Sequence, residues 1–150
     1  YGAAGTGHIW WWDSYVDPKN LYTHFRAVAE FVKDIPFPRA GFRRADVEAT
    51  DERLRVLGLQ GKQLAFLWVQ NRAHTWWNVV FDKPIAPVER AWVVLRGVEP
   101  QPYSVEYWDT WVGKRWRVET IAAENGELRI PVENVGTDLA LKIKSRASLP

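Results

Sequence analysis

Trp10, Trp11 and Trp12 stand in a row inside the run His8–Tyr15, His-Ile-Trp-Trp-Trp-Asp-Ser-Tyr. Indole, isoleucine and tyrosine side chains favour extended backbone. In extended backbone successive side chains alternate, so His8, Trp10 and Trp12 share one face and Ile9, Trp11 and Asp13 the other. Neither face can be left in water, which is the pattern of a strand covered on both sides, as in a parallel sheet. The glycine-rich run Gly2–Gly7 precedes it and Asp17-Pro18 follows, so the segment reads as strand, loop and helix. A sheet able to bury this strand is larger than 150 residues easily supply. If residues 1–36 are ordered alone, the strand is expected to pair with another molecule, or the helix to fold back on the rest of the chain.

Asp17-Pro18 is a good helix start, because Asp accepts from unpaired N–H groups and Pro suits the first helical position. Leu21, Phe25, Val28, Ala29 and Val32 follow at helical spacing and form one apolar face. Ile35-Pro36-Phe37-Pro38 stops the helix, and a domain boundary is placed near residue 37. Beyond it the period changes to alternation. Strands are expected near 42–50, 54–60, 63–71, 75–81, 89–96, 103–109, 114–123, 127–133 and 138–144, and the strongest hairpin signal is Asn125-Gly126. Leu128, Ile130 and Val132 face one way, as do Leu139, Leu141 and Ile143 against Lys142 and Lys144. Short alternating strands with turns about every ten residues predict a mainly β chain, a β-sandwich of immunoglobulin-like or jelly-roll-like type over residues 37–150.

Several classes of chemistry are excluded by what is missing. The chain has no cysteine, hence no disulfide, no thiolate nucleophile and no cysteine zinc site. It has no methionine, so Tyr1 is expected to be a processed or cut end; nine prolines beside the missing Cys and Met fit a thermophile. Twenty basic and 18 acidic residues are interspersed and leave a net charge of +2, which gives no footprint for nucleic acid. No apolar stretch approaches the ~20 residues of a membrane span. His8, His24 and His74 have no ligand spacing, and neither a phosphate loop nor a G-x-S-x-G elbow occurs, so no metal and no cofactor are expected.

The run Gly5–Phe25, Gly-Thr-Gly-His-Ile-Trp-Trp-Trp-Asp-Ser-Tyr-Val-Asp-Pro-Lys-Asn-Leu-Tyr-Thr-His-Phe, resembles the last strand and helix of a (β/α)8-barrel glycoside hydrolase. More narrowly it is similar to the cellulase-like, clan A-type enzymes whose barrel is followed by a C-terminal β-sandwich. Leu67–Asn78 and Val105–Thr110 resemble that sandwich. The resemblance implies that residues 1–36 are the last βα unit of a barrel and that the catalytic carboxylates lie on earlier strands, outside this chain. It implies a secreted, extracellular enzyme whose partners are a polysaccharide or oligosaccharide and the remainder of the barrel, in the same precursor or as a second chain. An aromatic at the end of the last barrel strand lines the active site in such enzymes, and barrel sites lie at the C-terminal ends of strands. The resemblance therefore assigns substrate contact to Trp11 or Trp12, beside Asp13.

Other candidates come from residue type. Asn71, His74, Trp76 and Trp77 mix stacking rings with directional polar groups, which suits either a sugar surface or a polar interdomain contact. Trp76 and Trp77 are expected to face opposite ways in a strand. Trp108, Trp111 and Trp116 surround the turn 109–113; a tight hairpin would make Trp108 and Trp116 cross-strand neighbours on one face, with Trp111 as a platform at the tip or as packing. Glu106, Asp109 and Glu119 read as solvated strand and turn residues, with Asp109 capping its own turn. Against the hydrolase reading stand two others: a free-standing carbohydrate-binding module and a structural domain without ligand.

Overall fold

The structure, a computed structural model, describes residues 11–145, so His8, Ile9 and Trp10 lie outside the described residues. Its order is a π-helical turn at Trp12–Val16, helix α1 (Tyr22–Val32), β1 (Arg43–Arg44), β2 (Val47–Ala49), β3 (Leu54–Gln60), β4 (Leu64–Asn71), α2 (Trp76–Val80), β5 (Val88–Arg96), β6 (Pro102–Asp109), β7 (Lys114–Ala122), β8 (Glu127–Val135) and β9 (Asp138–Ser145). Six strands form one sheet in the order β1-β3-β4-β9-β6-β7, and three form a second in the order β2-β5-β8. All pairings are antiparallel. The chain is mainly β and sandwich-like, as the alternation predicts.

The core lies between the sheets, and strand alternation puts it there. Leu67, Val69, Val105, Leu141 and Ile143 of the large sheet meet Val93, Leu95, Leu128, Ile130 and Val132 of the small one. Tyr107 adds a polar tie across the gap: its hydroxyl lies 3.0 Å from Pro131 O of the small sheet and 3.0 Å from Glu119 Oε2. Burial, and then the bond to Glu119, push the Tyr107 phenol up, so it stays neutral.

The outer face of the large sheet is covered by α1, giving a helix–sheet–sheet stack. Phe31 of α1 meets Phe66 (centroids 6.3 Å) and Trp108 (5.5 Å) edge-on. Ile35, Leu59 and Phe66 are buried at this second cluster, with Val32, Phe42 and Leu64 against it. Gly113, at φ +65°, lets the turn between β6 and β7 approach the helix; a Cβ there would sit 2.5 Å from the Cα of Ala27.

Four local expectations fail for physical reasons. Trp11 and Trp12 are not strand: Trp11 is left-handed (φ 53°) and Trp12 opens the π-turn. Helix α1 starts at Tyr22 rather than at Asp17-Pro18, since Asn20 is also left-handed (φ 49°) and the Asp17 carboxylate accepts from the Tyr22 hydroxyl. The expected strand 75–81 contains helix α2, because Thr75 Oγ1 caps it by accepting from Asn78 N at 3.2 Å. The expected strand 42–50 is two short strands in different sheets, with buried Ala45 between them. Asn125 and Gly126 do form a tight turn with positive φ at both, as in a type I′ turn. That turn nevertheless links β7 of one sheet to β8 of the other.

Candidate functional site

Antiparallel pairing brings the ends of β4 and β6 and the start of β9 to one end of the large sheet. On the outer face there, Trp68 and Trp108 both pair with Ala140, so the small residue sits between two indoles. One step further out, Trp68, Gln70, Thr110, Trp111 and Asp138 line an open cleft of about 330 Å³. His74 enters from the loop after β4, and His24 from the first turn of α1.

Each wall of the cleft is held by local bonds. Asp138 accepts from Trp68 Nε1 at 2.6 Å through one carboxylate oxygen and from Thr110 Oγ1 at 2.9 Å through the other. Gln70 Nε2 donates to His74 O at 3.2 Å, and Gln70 Oε1 accepts from Arg55 Nε at 3.1 Å. The Arg55 guanidinium lies over the Trp68 ring, 5.8 Å from its centroid. Asp109 Oδ1 accepts from Trp111 N at 2.8 Å and Val112 N at 3.0 Å, the turn cap read from the sequence. It fixes the backbone of Trp111 while leaving the indole 61% exposed. Among the described residues no three His, Asp or Glu side chains are grouped to hold a metal ion.

Of the residues singled out from sequence, the cleft gathers His74 and Trp111. Asn71 is 1% exposed and works inward: Nδ2 donates to Ala86 O and Val135 O, and Oδ1 accepts from Ala73 N. Trp76 and Trp77 lie on α2, outside the cleft, with ring centroids 5.4 Å apart, and the Phe81 ring lies tilted against Trp77 at 4.2 Å. Trp11, Trp12 and Asp13 are exposed at the π-turn. Trp108 and Trp116 are not neighbours: a register shift after Tyr107 pairs Trp108 with Arg115, and Trp116 lies beside the Tyr107 ring. The cleft residues that sequence reading misses are His24, Trp68, Gln70, Thr110 and Asp138. A signal existed for two of them, since alternation in 64–71 puts Trp68 and Gln70 on the face opposite buried Leu67 and Val69.

Glu106 is not the solvated residue its type suggests. It is 5% exposed and accepts from Trp108 Nε1 at 2.9 Å, while Lys144 Nζ and Arg115 lie 3.2 and 3.4 Å from its other oxygen. Burial pushes its carboxyl up, but the Trp108 bond and the Lys144 and Lys142 charges outweigh burial and hold it below the usual carboxylate range. Lys142 beside it is 1% exposed, its ammonium 4.7 Å from the Trp108 centroid and 5.0 Å from that of Phe31. Burial lowers the Lys142 ammonium.

No protein-family model and no curated protein matches the chain. Among solved structures, it is similar to a GH30 endoxylanase from Clostridium papyrosolvens C71 at 15% identity and a TM-score of 0.47, over 79% of this chain and 26% of that one. A protein described as a glycoside hydrolase aligns at 13% identity and 0.47, over 97% and 31%. A family 5 glycoside hydrolase from Bacteroides vulgatus ATCC 8482 aligns at 12% and 0.47, over 92% and 27%. The chain thus spans between a quarter and a third of the length of these three structures.

Proposed function

We propose that the chain is the C-terminal part of a secreted glycoside hydrolase acting on a polysaccharide. In this reading residues 1–36 are the last βα unit of a (β/α)8 barrel and residues 37–150 its accessory sandwich. The observation that carries it is the second apolar side of α1. One side of that layer, Ala27, Phe31 and Ile35, is used up on the sandwich. The adjacent side, Leu21, Phe25, Val28 and Ala29, stays half-buried or exposed, and Trp11, Trp12, Tyr15 and Tyr22 are exposed around it, at 67, 59, 49 and 44%. A soluble chain does not leave so much aromatic surface in water without a partner. The backbone supports the same reading, because a left-handed tryptophan such as Trp11 is strained. Extended pairing in a completed barrel relieves that strain.

The partner is the remainder of the barrel. Hydrolysis needs two carboxylates, about 5–5.5 Å apart for retention or about 6.5–9.5 Å for inversion, and in this reading both belong to earlier barrel strands. This chain closes the barrel and supplies an aromatic wall to the substrate cleft through Trp11, Trp12 and Asp13; alone it is inactive. The test is native mass spectrometry and sizing of the material that contains the chain, with an assay for reducing ends on soluble glycans. The expected result is one complex with the other barrel strands that cleaves a polysaccharide, and loss of activity in Trp11→Ala or Trp12→Ala. A well-behaved 17.4 kDa monomer with Trp11 and Trp12 in solvent overturns it.

A further inference from the structure

The cleft between β4, β6, β9 and α1 has features that the packing of the sandwich does not require. Its volume of about 330 Å³ sits at the low end of the ~300–1,000 Å³ of small-molecule sites, and its open mouth lets a longer chain run out of it. The imidazoles of His24 and His74 have no hydrogen-bond partner among the described residues, although both border the cleft. The Trp111 indole is presented to water on a turn whose backbone Asp109 has already fixed.

Asp138 completes the pattern. Each of its carboxylate oxygens accepts one bond from the protein, which sets the orientation of the group. A carboxylate has about four lone-pair sites, so both oxygens can each take a further donor. Two adjacent hydroxyls on a ring are such a pair of donors. A sugar hydroxyl both donates and accepts, and an imidazole offers the same two capacities on opposite edges. The flat C–H face of a pyranose matches an exposed indole. Among the described residues Asp138 forms no salt bridge, so its charge repels an anionic ligand. Asp138 projects from the start of a strand and Trp111 from a capped turn, which hold a site more firmly than a long loop does, while His24 comes from the first turn of α1 and His74 from the loop after β4.

We propose that this cleft binds a neutral oligosaccharide, with Trp111 as the stacking platform, Asp138 receiving a vicinal pair of hydroxyls, and His24 and His74 bonding to the remaining ones. The proposal does not depend on the chain completing a barrel, because every group in it lies within residues 24–138.

The test is calorimetric titration of the 150-residue chain with cellohexaose, xylohexaose, mannohexaose and hexagalacturonate. Saturable binding of at least one neutral hexasaccharide is expected. Trp111→Ala and His74→Ala each weaken it at least tenfold, and Trp77→Ala, on α2 outside the cleft, leaves it within twofold. Circular dichroism of each variant checks that the fold persists; Trp111 is exposed and His74 lies in a loop, so neither change removes a core side chain. Failure of all three neutral hexasaccharides to bind at millimolar concentration overturns the proposal. So does wild-type affinity in both cleft variants, or tighter binding of hexagalacturonate than of every neutral probe.

Discussion

The two faces of the six-stranded sheet are packed by opposite means. The inner face is mostly aliphatic, Tyr103 and Tyr107 apart: Val69, Val105, Leu141 and Ile143 are 0–1% exposed and meet equally dry residues of the second sheet. The outer face carries rings and charges, with Phe66, Trp68, Trp108, Glu106, Lys142 and Lys144 under or beside a single helix. The inner face is held by burial, which is non-directional and grows with the area removed from water. On the outer face a few directed contacts do the holding: edge-on rings, an ammonium over two rings, and a carboxylate shared by an indole and two cations. The first arrangement tolerates exchange of one aliphatic residue for another of similar size. The second depends on each named partner, and it ends in an open cleft where the helix no longer covers the sheet.

If this contrast is right, the largest single effect belongs to the inner face. Ile130 is 0% exposed between the sheets, and Ile130→Ala is expected to cost about 2–5 kcal/mol, lost transfer energy plus the cavity left behind. Chemical denaturation measures it directly; a loss below about 1 kcal/mol would mean that the sheets are loosely packed there. The outer face has a smaller effect with a different signature. Glu106→Gln keeps an acceptor for the Trp108 indole but removes the charge facing Lys144, Arg115 and Lys142, at an expected cost of about 1–3 kcal/mol. Lys144 and Arg115 reach solvent and moderate the loss. The sign with pH follows from the direction of the shift. A carboxyl held low in the folded state contributes its full stability above its unfolded pKa, about 4.3, and loses it as pH falls through the folded value. The gap between wild type and Glu106→Gln should therefore be constant from pH 7 to 5 and shrink in more acid solution. A gap that does not change down to pH 3 would show that the charge of Glu106 is not what the variant loses. Neither signature is expected of Ile130.

The same contrast explains what was legible in the sequence. The inner face was readable because alternation is a local rule: Leu128-x-Ile130-x-Val132 and Leu139-x-Leu141-x-Ile143 give strand, face and burial together. The outer face was not, because its determinants are distant in the chain. Nothing near Lys142 indicates that Phe31, 111 positions earlier, covers it. Glu106 and Lys142 look like solvated residues until β6 and β9 pair and α1 settles over them. The cleft was half legible for the same reason. His74 and Trp111 announce themselves by type, whereas Asp138 and His24 acquire meaning only from topology. Helix α2 runs against a local rule: Trp76-Trp77 and Val79-Val80 favour extended backbone, and the cap from Thr75 outweighs that preference. Trp11 and Trp12 suit a strand by residue type, yet no neighbouring strand is present among the described residues to pair with them.

The smallest effect sharpens the comparison most, because it separates the helix layer from the sandwich. Gly113 has φ +65°, where a side chain costs about 1–2 kcal/mol. An added Cβ would also lie 2.5 Å from the Cα of Ala27, backbone that cannot yield by a rotamer change. Something must move, and the sheet cannot, since β6 and β7 are paired through eight residues on either side of the turn. The helix can, because it rests on the sheet through side chains and makes no ladder with it. Gly113→Ala should therefore lift the N-terminal half of α1 while leaving the sandwich folded. The clash adds at most the docking energy of the helix, since undocking relieves it, while the cost of the positive φ stays with the turn. Hydrogen exchange reads this directly. Amides of α1 should exchange faster in the variant, while those of β4, β8 and β9 keep their protection. Equal loss of protection in all of them would mean that the helix and the sandwich unfold as one unit, and the two faces of the large sheet would then not be energetically separate.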